Sequence, residues 1–83
     1  LSLDGIDPVS GLTLYYANEA ELVRTMIENS DTVIIAADSS KLGRSTFVKV
    51  APVTAADVIV TNKSEKNELV SKLGLLGIEV IEV

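Results

Sequence analysis

The stretch VIIAADSSKLGR, residues 33–44, sets a carboxylate, two hydroxyls, a lysine, a glycine and an arginine directly behind a continuous apolar run. The run reads as a strand buried on both faces, the pattern of a parallel sheet. In open α/β sheets, ligands bind just beyond the carboxyl ends of such strands. Lys41 in that loop can meet a phosphate as a compact point charge, or it can be an ordinary solvated lysine. Asp38 can accept hydrogen bonds from sugar hydroxyls, or it can cap the turn through nearby backbone amides. Asp4-Gly5-Ile6-Asp7 brings two carboxylates around a glycine. Such a pair can do acid–base work if the carboxylates converge, and is otherwise a solvated turn. Arg44 and Lys49 are anion contacts or plain surface charges.

Composition removes much of the remaining chemistry. The 83 residues include no cysteine and no histidine. Disulfides, thiolate metal sites and a cysteine nucleophile are excluded, and the commonest general base and zinc ligand are missing. Neither a GxGxxG loop nor a Walker motif occurs, so no cofactor is implied. A lysine–carboxylate isomerase is the one enzyme type these residues leave open. The net charge of −5 makes direct contact with nucleic acid unfavourable for this segment. The apolar runs are too short to span a bilayer and no signal peptide is visible, so the expected location is the cytoplasm and no membrane contact is expected.

The candidate residues need elements to hold them. Residues 1–6 read as a short strand, with turn pairs at Asp7-Pro8 and Ser10-Gly11. Residues 12–16 are extended or irregular. Asn18 is the expected cap of a first helix, with Glu21 completing a capping box and Ala20, Val23, Met26 and Ile27 on one face. Residues 33–37 are an internal strand. Residues 47–50 are a short strand broken by Pro52, and 54–57 a capped turn. Residues 58–60 form a further buried strand. Ser64 is the expected cap of a second helix striped by Leu69, Val70, Leu73 and Leu76, with Gly77 at its left-handed C′ position. Residues 78–83 end the chain as an edge strand guarded by Glu79 and Glu82. Two strand–helix–strand units imply an α/β fold, a mostly parallel sheet with flanking helices. At this length only about 60% of the unfolded surface is buried, yet 47% of residues are hydrophobic. Some apolar surface is therefore expected to be covered by another segment or by a second copy, making the parent a homo-oligomer.

In order along the chain stand DGIDP (4–8), GLT (11–13), EAE (19–21), MI (26–27), ADSSKLGR (37–44), VAPVTAAD (50–57) and VTN (60–62). This series resembles the C-terminal half of the sensor domain of the DeoR family of bacterial transcriptional regulators. The resemblance implies a Rossmann-like half of a domain similar to ribose-5-phosphate isomerase and the CoA transferases. Residues 1–83 would be the C-terminal part of an effector-sensing domain, with the DNA-binding domain and the first half of the sensor lying elsewhere. Operator DNA would be contacted only through the absent N-terminal domain. A phosphorylated sugar or related metabolite would be the effector. Carried over by position, Lys41 would meet its phosphate or sugar with Asp38 beside it, and Gly5, Asp7 and Thr13 would line the same cleft. The alternative is a fragment of a sugar-phosphate isomerase or CoA-transferase-like enzyme. The blocks after Lys41 suit the regulators better, and no catalytic pair is present.

Overall fold

A computed structural model describes all 83 residues. Six strands form two three-stranded sheets, one antiparallel and one parallel. β1 (Gly5–Asp7) and β2 (Gly11–Leu14) form a hairpin, with Gly5 opposite Thr13 and Asp7 opposite Gly11. The turn between them is set by its residues. The Asp7 carboxylate accepts from the Val9 and Ser10 amides at 3.0 and 2.8 Å. Pro8 fixes its own φ, and Gly11 takes φ +88°, which a side chain would resist. β4 (Val48–Ala51) pairs antiparallel with β2 and completes this sheet.

The parallel sheet has the order β3 (Ile34–Ala36), β5 (Val58–Thr61), β6 (Glu79–Glu82). The expectation of a mostly parallel fold is therefore met in one sheet only. The reason lies in the 7–11 turn. So short a connection can join only antiparallel strands, because a parallel pair needs a crossover of a dozen residues or more. The 33–37 run is also not the centre of its sheet; β5 is. On the other side of β3 the chain's first residue continues the pairing, with the Leu1 amine donating to the Ile34 carbonyl and the Ala36 amide donating to the Leu1 carbonyl, both at 3.0 Å. Nor is β3 buried on both faces. Ile35 and Ile59 are fully buried, but Ile34 is 51% exposed. The register puts Ile34 beside Val58, Ala36 beside Val60, and Val60 in turn beside Ile81, on that outer face. No element of this chain covers it.

Each sheet has one helix. α1 (Ala17–Glu28) packs on β2 and β4, with Ala20 fully buried. It begins before Asn18: Tyr16 holds the cap position in extended geometry and makes no side-chain cap bond, so the capping box does not form. Only Tyr15 and Tyr16 separate α1 from β2, and docking onto the sheet decides where the helix starts. Met26, expected on the inner face, is 45% exposed at its rim. Arg24 reaches from α1 to the edge strand, donating from Nε to the Val50 carbonyl at 2.9 Å and from Nη2 to the Lys49 carbonyl at 2.6 Å. Arg24→Met keeps the aliphatic stem and loses both bonds, so urea unfolding should show a loss of about 1–2 kcal/mol.

α2 (Asn67–Leu75) packs on β6 through buried Leu73, while Leu76 is 44% exposed at its end. Gly77 has the expected left-handed φ, +88°. The Ser64 hydroxyl accepts from the Lys66 amide, one turn before the helix proper, and Lys66 occupies the cap position. The turn at Val53–Ala55 is a single 3-10 turn without a side-chain cap. Asp57 instead accepts from the Val33 amide at 2.7 Å and ties the start of β3 to β5.

Candidate functional site

Behind β3 the Ala37 amide still donates to the Val60 carbonyl, and the chain then leaves the sheet. Asp38 remains extended and caps a 3-10 turn, Ser39–Lys41. Its carboxylate accepts from the Ser40 amide at 2.9 Å and from the Ser40 hydroxyl. The capping role open to Asp38 in the sequence is thus the one seen here. Leu42 drops into the core, 2% exposed, and bridges to Ile6 of β1. Gly43 turns with φ +81° and donates its amide to the Ile6 carbonyl at 2.7 Å.

The Ser40 hydroxyl, then the Ser40 amide, hold the Asp38 carboxyl below the usual carboxylate range; desolvation opposes them, and the Lys41 and Arg44 charges add smaller lowering contributions. A folded-state pKa depressed below the unfolded one gives a contribution that is present above the unfolded value and lost as pH falls through the folded value. The Ser40 amide should therefore stay protected through the mildly acidic range. Its chemical shift should titrate with a midpoint below that of an unperturbed aspartate.

Two residues that sequence reasoning passed over hold this loop from the connection between β5 and α2. Asn62 accepts from the Ser39 amide at 2.7 Å and donates to the Ser39 hydroxyl at 3.0 Å. Lys66 donates from Nζ to the carbonyls of Ser39 at 2.7 Å and Leu42 at 2.8 Å. The signal for them was topological. Loops that follow neighbouring parallel strands emerge side by side, so a polar residue just past β5 is within reach of the loop past β3.

The other candidates are placed as follows. Gly5 is pressed against the loop's far end: a Cβ there would fall well inside 3.0 Å of both Thr13 Oγ1 and the Arg44 carbonyl oxygen. Thr13 is 2% exposed, and its Oγ1 accepts from the Thr46 amide at 3.0 Å. Gly5 and Thr13 thus pack directly against residues 44–46. The Asp7 carboxylate is taken up by the hairpin turn. Asp4 accepts from the Tyr15 amide at 3.1 Å, so the two carboxylates of the 4–7 run serve separate turns. The Lys41 backbone joins this turn, its amide donating to the Asp38 carbonyl at 3.0 Å, but its side chain takes no part in the network that fixes the loop.

The two surface hollows lie along α1, one lined by Asn18, Glu21, Arg24 and neighbours, the other by Ser2, Asp4, Leu14 and neighbours. Lys41 and Asp38 border neither and stand on an open rim. That rim is rich in cations. Lys41, Arg44, Lys63 and Lys66, four of the seven in the chain, lie in the two loops behind β3 and β5, against Asp38 and Glu65 there. In an acidic chain this is a local concentration of positive charge.

Residues 1–63 match the family described as the DeoR C terminal sensor domain. The chain belongs to that family. Along its whole length this DeoR sensor segment is 32% identical to a putative aga operon transcriptional repressor of Escherichia coli O157:H7, covering 31% of that protein. It is 30% identical over 82 residues to the HTH-type transcriptional regulator GlpR of Haloferax volcanii, covering 99% of the segment and 32% of the relative. Over 62 residues it is 32% identical to the glycerol-3-phosphate regulon repressor of Escherichia coli K12, covering 75% of the segment and 25% of the relative. The segment thus spans about a third of the length of the relatives it matches. Its 38–44 loop and its β1–β2 hairpin lie inside the family match, whereas Lys66 and α2 follow it.

Proposed function

We propose that the 38–44 loop binds the phosphate of a phosphorylated sugar or related metabolite, with Lys41 as its principal charge. The observation that carries this reading is Lys41 itself. Its ammonium is uncommitted, in a loop whose backbone is pinned on several sides, among most of the chain's cations. Asp38, Gly5, Thr13 and Asp7 support the site in this reading: Asp38 shapes the turn, Gly5 and Thr13 hold its far end, and Asp7 fixes the hairpin beneath it. The parent protein is a repressor whose operator contact lies in a separate N-terminal DNA-binding domain, and effector binding here lowers operator affinity. The relatives support this. Two are named as a transcriptional repressor and a transcriptional regulator, and the third as the glycerol-3-phosphate regulon repressor. No enzymatic step is assigned to the segment.

No helix is long and apolar enough to cross a membrane. In this reading the parent is a cytoplasmic homo-oligomer, and the outer face of the parallel sheet is covered in the assembled regulator. The test is direct binding of glycerol 3-phosphate and ribose 5-phosphate to the intact protein by calorimetry, with inorganic phosphate and the unphosphorylated compounds as controls. Binding should require the phosphate. Binding of the unphosphorylated compounds with equal affinity would remove the reading.

A further inference from the structure

We infer that Asn62 and Lys66 are positioning residues for effector recognition, acting through Lys41; this rests on the reading of the 38–44 loop as the phosphate site. A trans peptide points its carbonyl and the following N–H in opposite directions. Lys66 holds the Ser39 carbonyl, and on the other side of the same plane the Ser40 amide is held by the Asp38 carboxylate. Lys66 also holds the Leu42 carbonyl, and on the other side of that plane the Gly43 amide is held by the Ile6 carbonyl. Both planes are therefore clamped from two sides. Lys41 lies between them, so the direction in which its side chain leaves the backbone is fixed. Asn62 adds a third restraint by gripping both the amide and the hydroxyl of Ser39.

A lysine side chain is long and mobile, and binding an anion must order it. A backbone already fixed reduces that cost, which is how preorganisation raises affinity without adding a contact. The cation making this clamp is half-buried and spends two of its N–H groups on carbonyls, as a structural ion would. Both clamping residues come from the β5–α2 connection, so the position of the site behind β3 depends on the next strand.

The experiment is a double-mutant cycle in the intact regulator. The probes are glycerol 3-phosphate and ribose 5-phosphate, and direct binding is read together with operator affinity in the absence of effector. The variants are Asn62→Leu, Lys66→Met and Lys66→Arg, each alone and combined with Lys41→Ala. Asn62→Leu leaves net charge untouched, so it separates positioning from general electrostatics, and its exposed site makes it the variant least prone to misfolding. With Lys41 present, Asn62→Leu should weaken binding about five-fold and Lys66→Met about ten-fold, with Lys66→Arg recovering part of the loss. With Lys41 replaced, the same changes should cost less than about two-fold, because there is no longer a charge to position. Operator affinity should be unchanged throughout. Losses that persist undiminished without Lys41 would overturn the inference, as would full-strength binding by Asn62→Leu and Lys66→Met where Lys41→Ala binds poorly. Unaltered binding by Lys41→Ala itself would instead take down the phosphate-site reading, and this inference with it.

Discussion

Lys41→Ala should leave the folded protein nearly unchanged and weaken its response to a phosphorylated effector by about ten-fold to a hundred-fold. A charge-assisted hydrogen bond to phosphate in a fixed loop contributes about 1.5–3 kcal/mol net, which converts to that range. The stability side of the forecast follows from the loop's own bonds. Asp38, Asn62, Lys66 and the Ile6 carbonyl hold it. None of these bonds involves the Lys41 side chain, so removing it should cost less than about 0.5 kcal/mol. The measurement is operator release against effector concentration, with a urea melt of the same preparations. A stable variant whose release curve overlays the wild type would show Lys41 to be an ordinary surface lysine.

Gly5→Ala should have the opposite profile, with a large loss of stability. A methyl group at Gly5 meets the Arg44 carbonyl oxygen and the Thr13 hydroxyl at less than contact distance. The hydroxyl cannot simply rotate away, because it holds the Thr46 amide and sits in a buried side chain. Either β1 parts from residues 44–46 or the hairpin distorts, at a cost of about 3 kcal/mol. Gly74→Ala is the matched control. A Cβ there meets nothing within 4 Å, and α2 gains a better helix former, so about 0.5–1 kcal/mol of stabilisation is expected. Thermal melts of the two variants should move in opposite directions. Equal melting temperatures would show that the close approach at Gly5 is not what makes glycine necessary there.

The elements that the sequence disclosed are those whose signals are local. Three residues of continuous branched apolar side chain made β5 visible, and Gly77 marked the end of α2 through its own backbone preference. What escaped was pairing. The turn at 7–11 is legible as a turn, but nothing local marks Asp7-Pro8 and Ser10-Gly11 as the two ends of one hairpin, so the sequence leaves β2 merely extended or irregular and does not show that half the fold is antiparallel. Asn18 misled for a different reason. It has the right chemistry for a cap, but the docking of α1 against β2 and β4 starts the helix before it. The site divides the same way. The ADSSKLGR block displayed Lys41, and the capping role of Asp38 follows from its neighbour Ser40. Nothing local tied Asn62, the last residue of the VTN block, or Lys66 to this loop, because their partners lie 23 to 27 residues away in sequence.

Residues 38–44 are proposed to take the phosphate of the effector. Hydrogen–deuterium exchange of the intact regulator, with and without saturating glycerol 3-phosphate or ribose 5-phosphate, tests it most directly. Exchange should slow at residues 38–44 and in the 61–66 connection that clamps them, and that protection should be lost in Lys41→Ala. Protection appearing along α1 instead, with the 38–44 amides exchanging at their unliganded rates, would contradict it.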